Sequence, residues 1–436
     1  MGGILPLWLV EPESREKRNL TARKLFDFSR KTILTSPPPD LAELKQRLKE
    51  IREYSRQNIN SLLEEFKTNL SRKYPQVAVK FAAGSAEAVE YISQIAEGIE
   101  VVSTNKSGVV REELEPGLRA RGFTVINSYW EEFEIKEGKI RDYWDLPRLL
   151  DKSLSGNFEV SKKITDLAQL KDAEVKRYLA VLGVNAVSAE DCTVFFLQHF
   201  SNIYRDLQQA KKVVLVVGLD KIVKDREEAA FQTKCMGIFG LESMLLGIRP
   251  KSGKVSSPSE LPSLPKAEPR EFHLIILDNG RTELLQSKFK DLFLCIGCRA
   301  CVTHCPIAHF FLDEDYTWSG KNYLARFLRG ESNSIDLCLH CEACRLECPL
   351  ELDLPHLMWE AKLDYLAEHG RPWSHRILGR PELLAKLGTL FAPLSNRLVG
   401  INSVRVLMEF ITGIDRRTDL PRFHFQTFRK WFKKHG

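Results

Sequence analysis

Eight of the ten cysteines in this 436-residue chain fall into two copies of one pattern. C-I-G-C-R-A-C-V-T-H-C-P supplies Cys295, Cys298, Cys301 and Cys305, and C-L-H-C-E-A-C-R-L-E-C-P supplies Cys338, Cys341, Cys344 and Cys348. Thiolates spaced this way wrap three corners of an iron-sulfur cube, and in two-cluster chains the fourth cysteine of each run goes to the other cube. The pattern predicts two 4Fe-4S clusters, one on Cys295, Cys298, Cys301 and Cys348, the other on Cys338, Cys341, Cys344 and Cys305. Crossing of this kind staples the two runs together and limits the folds open to the chain. Zinc would leave the third cysteine of each run unused. A disulfide framework belongs to short exported chains. Pro306 and Pro349 complete the ferredoxin pattern in both runs. Cys192 and Cys235 lie far from the runs and read as small apolar core residues.

The length suggests about two to four domains. No apolar run approaches a membrane span of about 18 residues, and the opening M-G-G-I-L-P-L-W-L-V-E-P lacks the features of a signal peptide. A cytoplasmic location is the expectation. The net charge of +6 falls nearer to about +2 once each oxidised cube with its thiolates is counted at about −2, so nucleic-acid binding loses its support. The basic charge is concentrated at the end: residues 371–436 hold 13 Lys or Arg against 4 Asp or Glu. This tail reads either as an arm docking on a partner or an anionic membrane surface, or as a solvated helix packed on its own chain.

Between residues 41 and 70, Leu44, Leu48, Ile51, Ile59, Leu62, Leu63 and Phe66 recur at helical intervals. Alternating short strands and helices follow: strands at 77–82, 100–103 and 123–127, helices at 85–95 and 109–121. Residues 142–182 read as mainly helical, and strands resume at 193–197, 213–217 and 273–277. This alternation predicts a layered α/β domain with a parallel sheet. A proline-rich loop holds Pro258, Pro262, Pro265 and Pro269. The 32 residues between Cys305 and Cys338 exceed a compact ferredoxin hairpin, so an α-helical two-cluster ferredoxin domain is expected. The predicted division is a helical segment over 1–70, an α/β domain over 71–284, the ferredoxin domain over 285–369 and the basic tail over 370–436.

Four segments carry a resemblance: N-K-S-G-V-V-R-E-E-L (105–114), A-V-S-A-E (186–190), V-V-G-L-D-K-I-V (216–223) and E-F-H-L-I-I-L-D-N-G-R-T (271–282). With the doubled cysteine run behind them, the chain resembles the iron-sulfur subunit family of bacterial lactate-utilisation complexes. The resemblance implies an α/β domain of the sugar-phosphate isomerase and CoA-transferase kind. It also implies a complex with a second lactate-utilisation-domain protein and a cysteine-rich partner or flavoprotein, oxidising L-lactate to pyruvate. Between the runs, S-G-K-N-Y-L-A-R-F-L-R-G (319–330) is closer to iron-sulfur subunits of glycolate oxidase and heterodisulfide reductase.

No catalytic residue is identified. Asn105, Lys106 and Ser107 sit where a strand gives way to a helix, a place that favours an anion, although plain helix capping is the commoner use of such residues. Glu190 matches a family segment and otherwise reads as a solvated carboxylate. No G-x-G-x-x-G or G-K-S/T phosphate loop is present, so a partner is expected to oxidise the substrate while the clusters relay single electrons. Run one carries Arg299 and His304, run two Glu342 and Glu347. Positive neighbours favour the reduced cube, which predicts the higher potential for the cluster of Cys295, Cys298 and Cys301.

Overall fold

The computed structural model describes residues 5–10, 39–105, 107–127, 133–135, 138–140, 178–197, 203, 206–207, 210–240, 271–302, 305–307, 320–330, 338–371 and 373–435. They divide into two compact units, residues up to Met358 and residues from Trp359.

In the first unit, β1 (Leu7–Val10) precedes α1 (Pro39–Gln57) and α2 (Ile59–Lys73), where the apolar spacing called for one or two amphipathic helices. Then come β2 (Ala78–Ala82), α3 (Ser85–Ala96) and β3 (Val101–Thr104). A π-helical turn at Val109–Leu114 leads into α4 (Glu115–Ala120), where the sequence suggested one continuous α-helix. After β4 (Thr124–Asn127) and the hairpin β5 (Phe133–Ile135) and β6 (Gly138–Ile140) come β7 (Leu179–Gly183), β8 (Ala186–Ser188) and β9 (Val194–Leu197). β10 (Lys212–Gly218), β11 (Ile222–Val223), α5 (Arg226–Phe239), β12 (Glu271–Leu277) and α6 (Arg281–Leu285) complete the α/β part.

The main sheet is six-stranded and wholly parallel, in the order β2-β12-β10-β7-β3-β4. Alternation along its central strands divides the interior into two cores. Ala180, Leu182, Val213, Leu215, Val217, Leu274 and Ile276 face α2 through Ile59, Leu62, Phe66 and Leu70. Leu179, Val181, Val214, Val216, Ile275 and Leu277 face the side holding Val89, Ile92, Val110 and Leu118. A smaller sheet, β1-β9-β8-β11, lends Val187, Val194 and Phe196 to the first core, while its Phe195 and Val223 pack with Ile51 and Ala229. Cys192 and Cys235 are buried, as expected of core residues.

The helical reading of 142–182 is corrected at its end, where residues 179–183 form β7. A short apolar run buried on both faces carries no period that separates strand from helix. The rest of that segment and the proline-rich loop lie outside the described residues.

In the cysteine region, α7 (Gly320–Leu328) lies between the runs, α8 (Ala343–Glu347) within the second run, and α9 (Leu354–His369) after it. The second unit continues through α10 (Trp373–Leu378), α11 (Pro381–Leu390), α12 (Ala392–Val399), α13 (Asn402–Thr412) and α14 (Phe428–His435). The basic tail is thus a chain of short helices.

Candidate functional site

The two cysteine runs share an uncommon backbone. Gly297 and Arg299 have φ of 79° and 61°, and the matching positions of the second run, His340 and Glu342, have 50° and 63°. Left-handed residues are unfavourable for side chains other than glycine, yet here they recur at the second and fourth places after the first cysteine of each run. The conformation turns N–H groups toward sulfur. Gly297 donates to Cys295 Sγ at 3.3 Å and His340 to Cys338 Sγ at 3.4 Å. Cys298 accepts from the Ala300 amide, Cys301 from Lys321, and Cys348 from Leu352 and Leu350.

Electrostatics shows which sulfurs are neighbours. Burial, then Cys348 and Cys295, pushes the Cys298 thiol well above its ordinary range. Burial, then Cys295, Cys348 and Cys344, does the same to Cys301. Cys348 is pushed up to about 11 by burial, with Cys295 adding to it. Cys344 is pushed up to about 12 by burial and then by Cys338, Cys305 and Cys341. Sulfurs so placed stay protonated unless a positive group joins them, and iron ions meet that need. Among the described residues, no three His, Cys, Asp or Glu side chains converge on a single-ion site. The donor set fits iron-sulfur by its chemistry, since a cube offers an iron to the third cysteine of each run, which a paired zinc site leaves unused.

The first run is anchored to the α/β part. Buried Arg52 of α1 donates to the Phe293 and Leu294 carbonyls at 2.8 and 3.0 Å. Lys221, just beyond β10, donates to the Ile296 carbonyl at 3.2 Å and pairs with Asp220 at 2.8 Å. Asp220 also accepts from Arg281, whose guanidinium grips both Glu113 oxygens at 2.7 and 3.0 Å. Gly218 makes room for this, since a Cβ there would lie 2.5 Å from Asp220 Oδ1 and 3.0 Å from Arg281 Nε. Burial works against ionising Glu113 and Asp220, but Arg281 on the first, and Lys221 with Arg281 on the second, hold both below the usual carboxylate range. Within the π-helical turn Glu112 is also turned inward, 3.6 Å from Arg299. Burial raises its carboxyl against the pull of Arg299.

Glu113, Asp220, Lys221, Arg281 and Arg299 line a polar cleft together with Asn105, Ser107, Cys295, Cys301 and Lys321. Most of its sheet-derived lining follows the carboxyl ends of β3, β7, β10 and β12. From β3 the chain moves outward to β4, whereas from β7 it returns toward β10. Ligands of parallel α/β sheets bind at such a reversal.

Of the residues singled out as an anion site, Asn105 and Ser107 reach this cleft. Asn105 caps no helix: its amide donates to the Gly183 carbonyl at 2.8 Å and accepts the Gly183 N–H at 2.9 Å, locking β3 to β7. Ser107 passes so close to Gly183 that a Cβ on that glycine would meet its hydroxyl at 2.1 Å. Glu190 is exposed in a turn and is not among the cleft residues. Lys106 and His304 lie outside the described residues. Glu112, Glu113, Asp220, Lys221 and Arg281 were not singled out, although they stand in three of the four segments that carry the family resemblance.

A model of the 4Fe-4S dicluster domain matches residues 291–352, the stretch that holds both runs. Lactate utilization protein B of Lysinibacillus sphaericus is 25% identical over 319 residues, covering 68% of this chain and 65% of that protein. At this level the chain is similar to lactate utilization protein B. Lactate utilization protein B of Bacillus thuringiensis and that of Bacillus anthracis are each 24% identical over 278 residues, covering 59% of this chain and 56% of theirs. The matches thus span less than two thirds of the length of these relatives. No solved structure matches the chain.

Proposed function

We propose that this chain is the iron-sulfur electron-transfer subunit of a multi-subunit oxidoreductase, relaying electrons from oxidation of L-lactate or a related 2-hydroxy acid. The observation that carries the reading is which sulfurs stand close enough to perturb which. Cys298, Cys301 and Cys348 each feel Cys295, Cys298 and Cys301 also feel Cys348, Cys344 feels Cys338, Cys305 and Cys341, and Cys301 also feels Cys344. We assign one 4Fe-4S cluster to the set Cys295, Cys298, Cys301 and Cys348, and one to the set Cys305, Cys338, Cys341 and Cys344. Bound there, such clusters accept and donate single electrons. The chain's own residues hold the thiolates, aim backbone N–H groups at them and place Arg299 and Lys321 beside the first set.

The partners in this reading are a second lactate-utilisation-domain protein and a cysteine-rich subunit or flavoprotein, assembled in the cytoplasm. Among the described residues no helix is long and apolar enough to cross a membrane. The parallel sheet is read as an isomerase/CoA-transferase-like fold, within the four-part division into 1–70, 71–284, 285–369 and 370–436. Iron-sulfur subunits of glycolate-oxidase-like or heterodisulfide-reductase-like complexes remain the nearest alternatives in the same class.

Anaerobic mixing tests the relay. Substrate reduces the clusters when partner subunits are present and leaves the purified chain oxidised; reduction of the chain alone contradicts it. That outcome would favour a second reading, an acyl- or CoA-ligand enzyme with accessory clusters, which draws on the polar cleft facing Cys295 and Cys301. Within the relay, Arg299 is assigned the role of raising the potential of the first cluster. A potentiometric EPR titration of Arg299→Gln should lower that potential and leave the second unchanged; an unchanged or raised first potential removes the assignment.

A further inference from the structure

Helices α10 to α14 have almost no interior. Ala392 is their one buried residue among those described, while Leu390, Phe391, Leu394, Leu407, Phe410 and Phe428 are between 55% and 89% exposed. Isolated exposed apolar side chains are ordinary, but so many large ones in a short stretch mark a surface meant to be covered.

The unit is nevertheless held in a defined shape by polar locks. The Asn396 side chain donates to the Phe423 carbonyl and accepts its N–H, both at 2.9 Å. Arg405 donates to the carbonyls of Val399, Arg416 and Thr418 at 2.7 to 2.8 Å. Arg429 of α14 pairs with Glu382 of α11 at 2.6 Å. The order comes from these bonds, and the apolar side chains are left facing outward.

α14 shows what would cover them. Phe428, Trp431, Phe432 and His435 recur at the i, i+3, i+4, i+7 spacing of one helix face. Their rings lie 5.3 to 6.1 Å apart. Arg429, Lys430, Lys433 and Lys434 occupy the remaining positions. Across residues 371–436 the excess of 13 basic over 4 acidic side chains gives a net charge of +9. An aromatic face flanked by cations suits the boundary between headgroups and acyl chains of an anionic bilayer, and the net charge draws it there.

We propose that residues 371–435 form a docking platform that binds this chain peripherally to an anionic lipid surface. Binding rests on charge for attraction and on Phe428, Trp431, Phe432 and Phe410 for insertion. The platform holds none of the eight cysteines of the two runs.

Co-sedimentation of the full-length, cluster-loaded chain with vesicles tests the proposal. The chain should pellet with vesicles of equimolar phosphatidylcholine and phosphatidylglycerol and stay in solution with pure phosphatidylcholine. Salt should weaken the binding as it screens the charge. Trp431→Ser with Phe432→Ser should weaken binding about tenfold or more, and Phe410→Ser alone should weaken it less. Unchanged cluster absorbance and circular dichroism serve as the control for folding, because these side chains are exposed. A chain that stays in solution with anionic vesicles overturns the proposal and points to a protein partner for the same face. Variants that bind as well as the parent chain overturn the insertion.

Discussion

The two cysteine runs repeat one spacing and one backbone but stand in opposite surroundings. In the first, Cys298 is buried, Ile296 is 1% exposed and Arg299 is buried beside Glu112. In the second, Cys341 is exposed, the equivalent Leu339 is 64% exposed and Glu342 faces solvent. The first run is an inner site, tied by Arg52 and Lys221 to the helices and strand ends of the α/β part. The second presents itself to the outside. One local motif can therefore serve two tasks, because the motif sets ligand geometry while the packing around it sets access and field. For a relay, the outer site is where a partner would exchange electrons and the inner site is where the protein controls them.

The largest expected effect that would separate the two comes from the polar anchor. Arg281→Met removes the cation between Glu113 and Asp220, leaving buried Glu113 without its guanidinium partner and Asp220 with Lys221, a loss of about 3–5 kcal/mol. Urea unfolding of the anaerobic protein measures the cost. A chelator should then bleach the first cluster faster than the second, and equal bleaching would mean that the anchor does not serve the first run in particular.

At the next level, Ile296→Ala should destabilise by about 2 kcal/mol or more as a buried side chain is cut back. Leu339→Ala, at the matching place, should stay within about 0.5 kcal/mol while slowing electron exchange with a partner. Thermal melts of both variants and stopped-flow reduction of the second check the contrast. Similar melting changes would erase it.

The smallest effect probes what the runs share. Gly297→Ala forces a side chain into the left-handed region and should cost about 1 kcal/mol, whereas His340→Gly relieves the same strain and should be neutral or stabilising by less than that. If Gly297→Ala melts no lower than the parent chain, the common backbone is not required.

The residues that announce this site differ in how far sequence alone could take them. The two cysteine runs stand out because their spacing is local, and β10 and β12 were legible because several valines or isoleucines run together. β8 and β11, with three and two residues, are too short for any period, and β7 hides in an apolar run that fits either a strand or a helix. Glu113, Asp220 and Arg281 stand in segments whose likeness to a family was visible, but pairings across 168 and 61 residues are a property of the fold. Left-handed Gly297 carried a signal in its residue type; His340, Arg299 and Glu342 carried none. Asn105 ties two strands together where a helix cap was weighed.

The central claim is that each cluster takes its fourth ligand from the other run. Double substitution decides it through the iron retained after anaerobic reconstitution. Cys298→Ser with Cys348→Ser strikes one set and should leave half the iron and one cluster signal in EPR, whereas Cys298→Ser with Cys305→Ser, both in the first run, strikes both sets and should abolish both signals. If the first pair removes both clusters while the second spares one, the ligands are not crossed and the account fails.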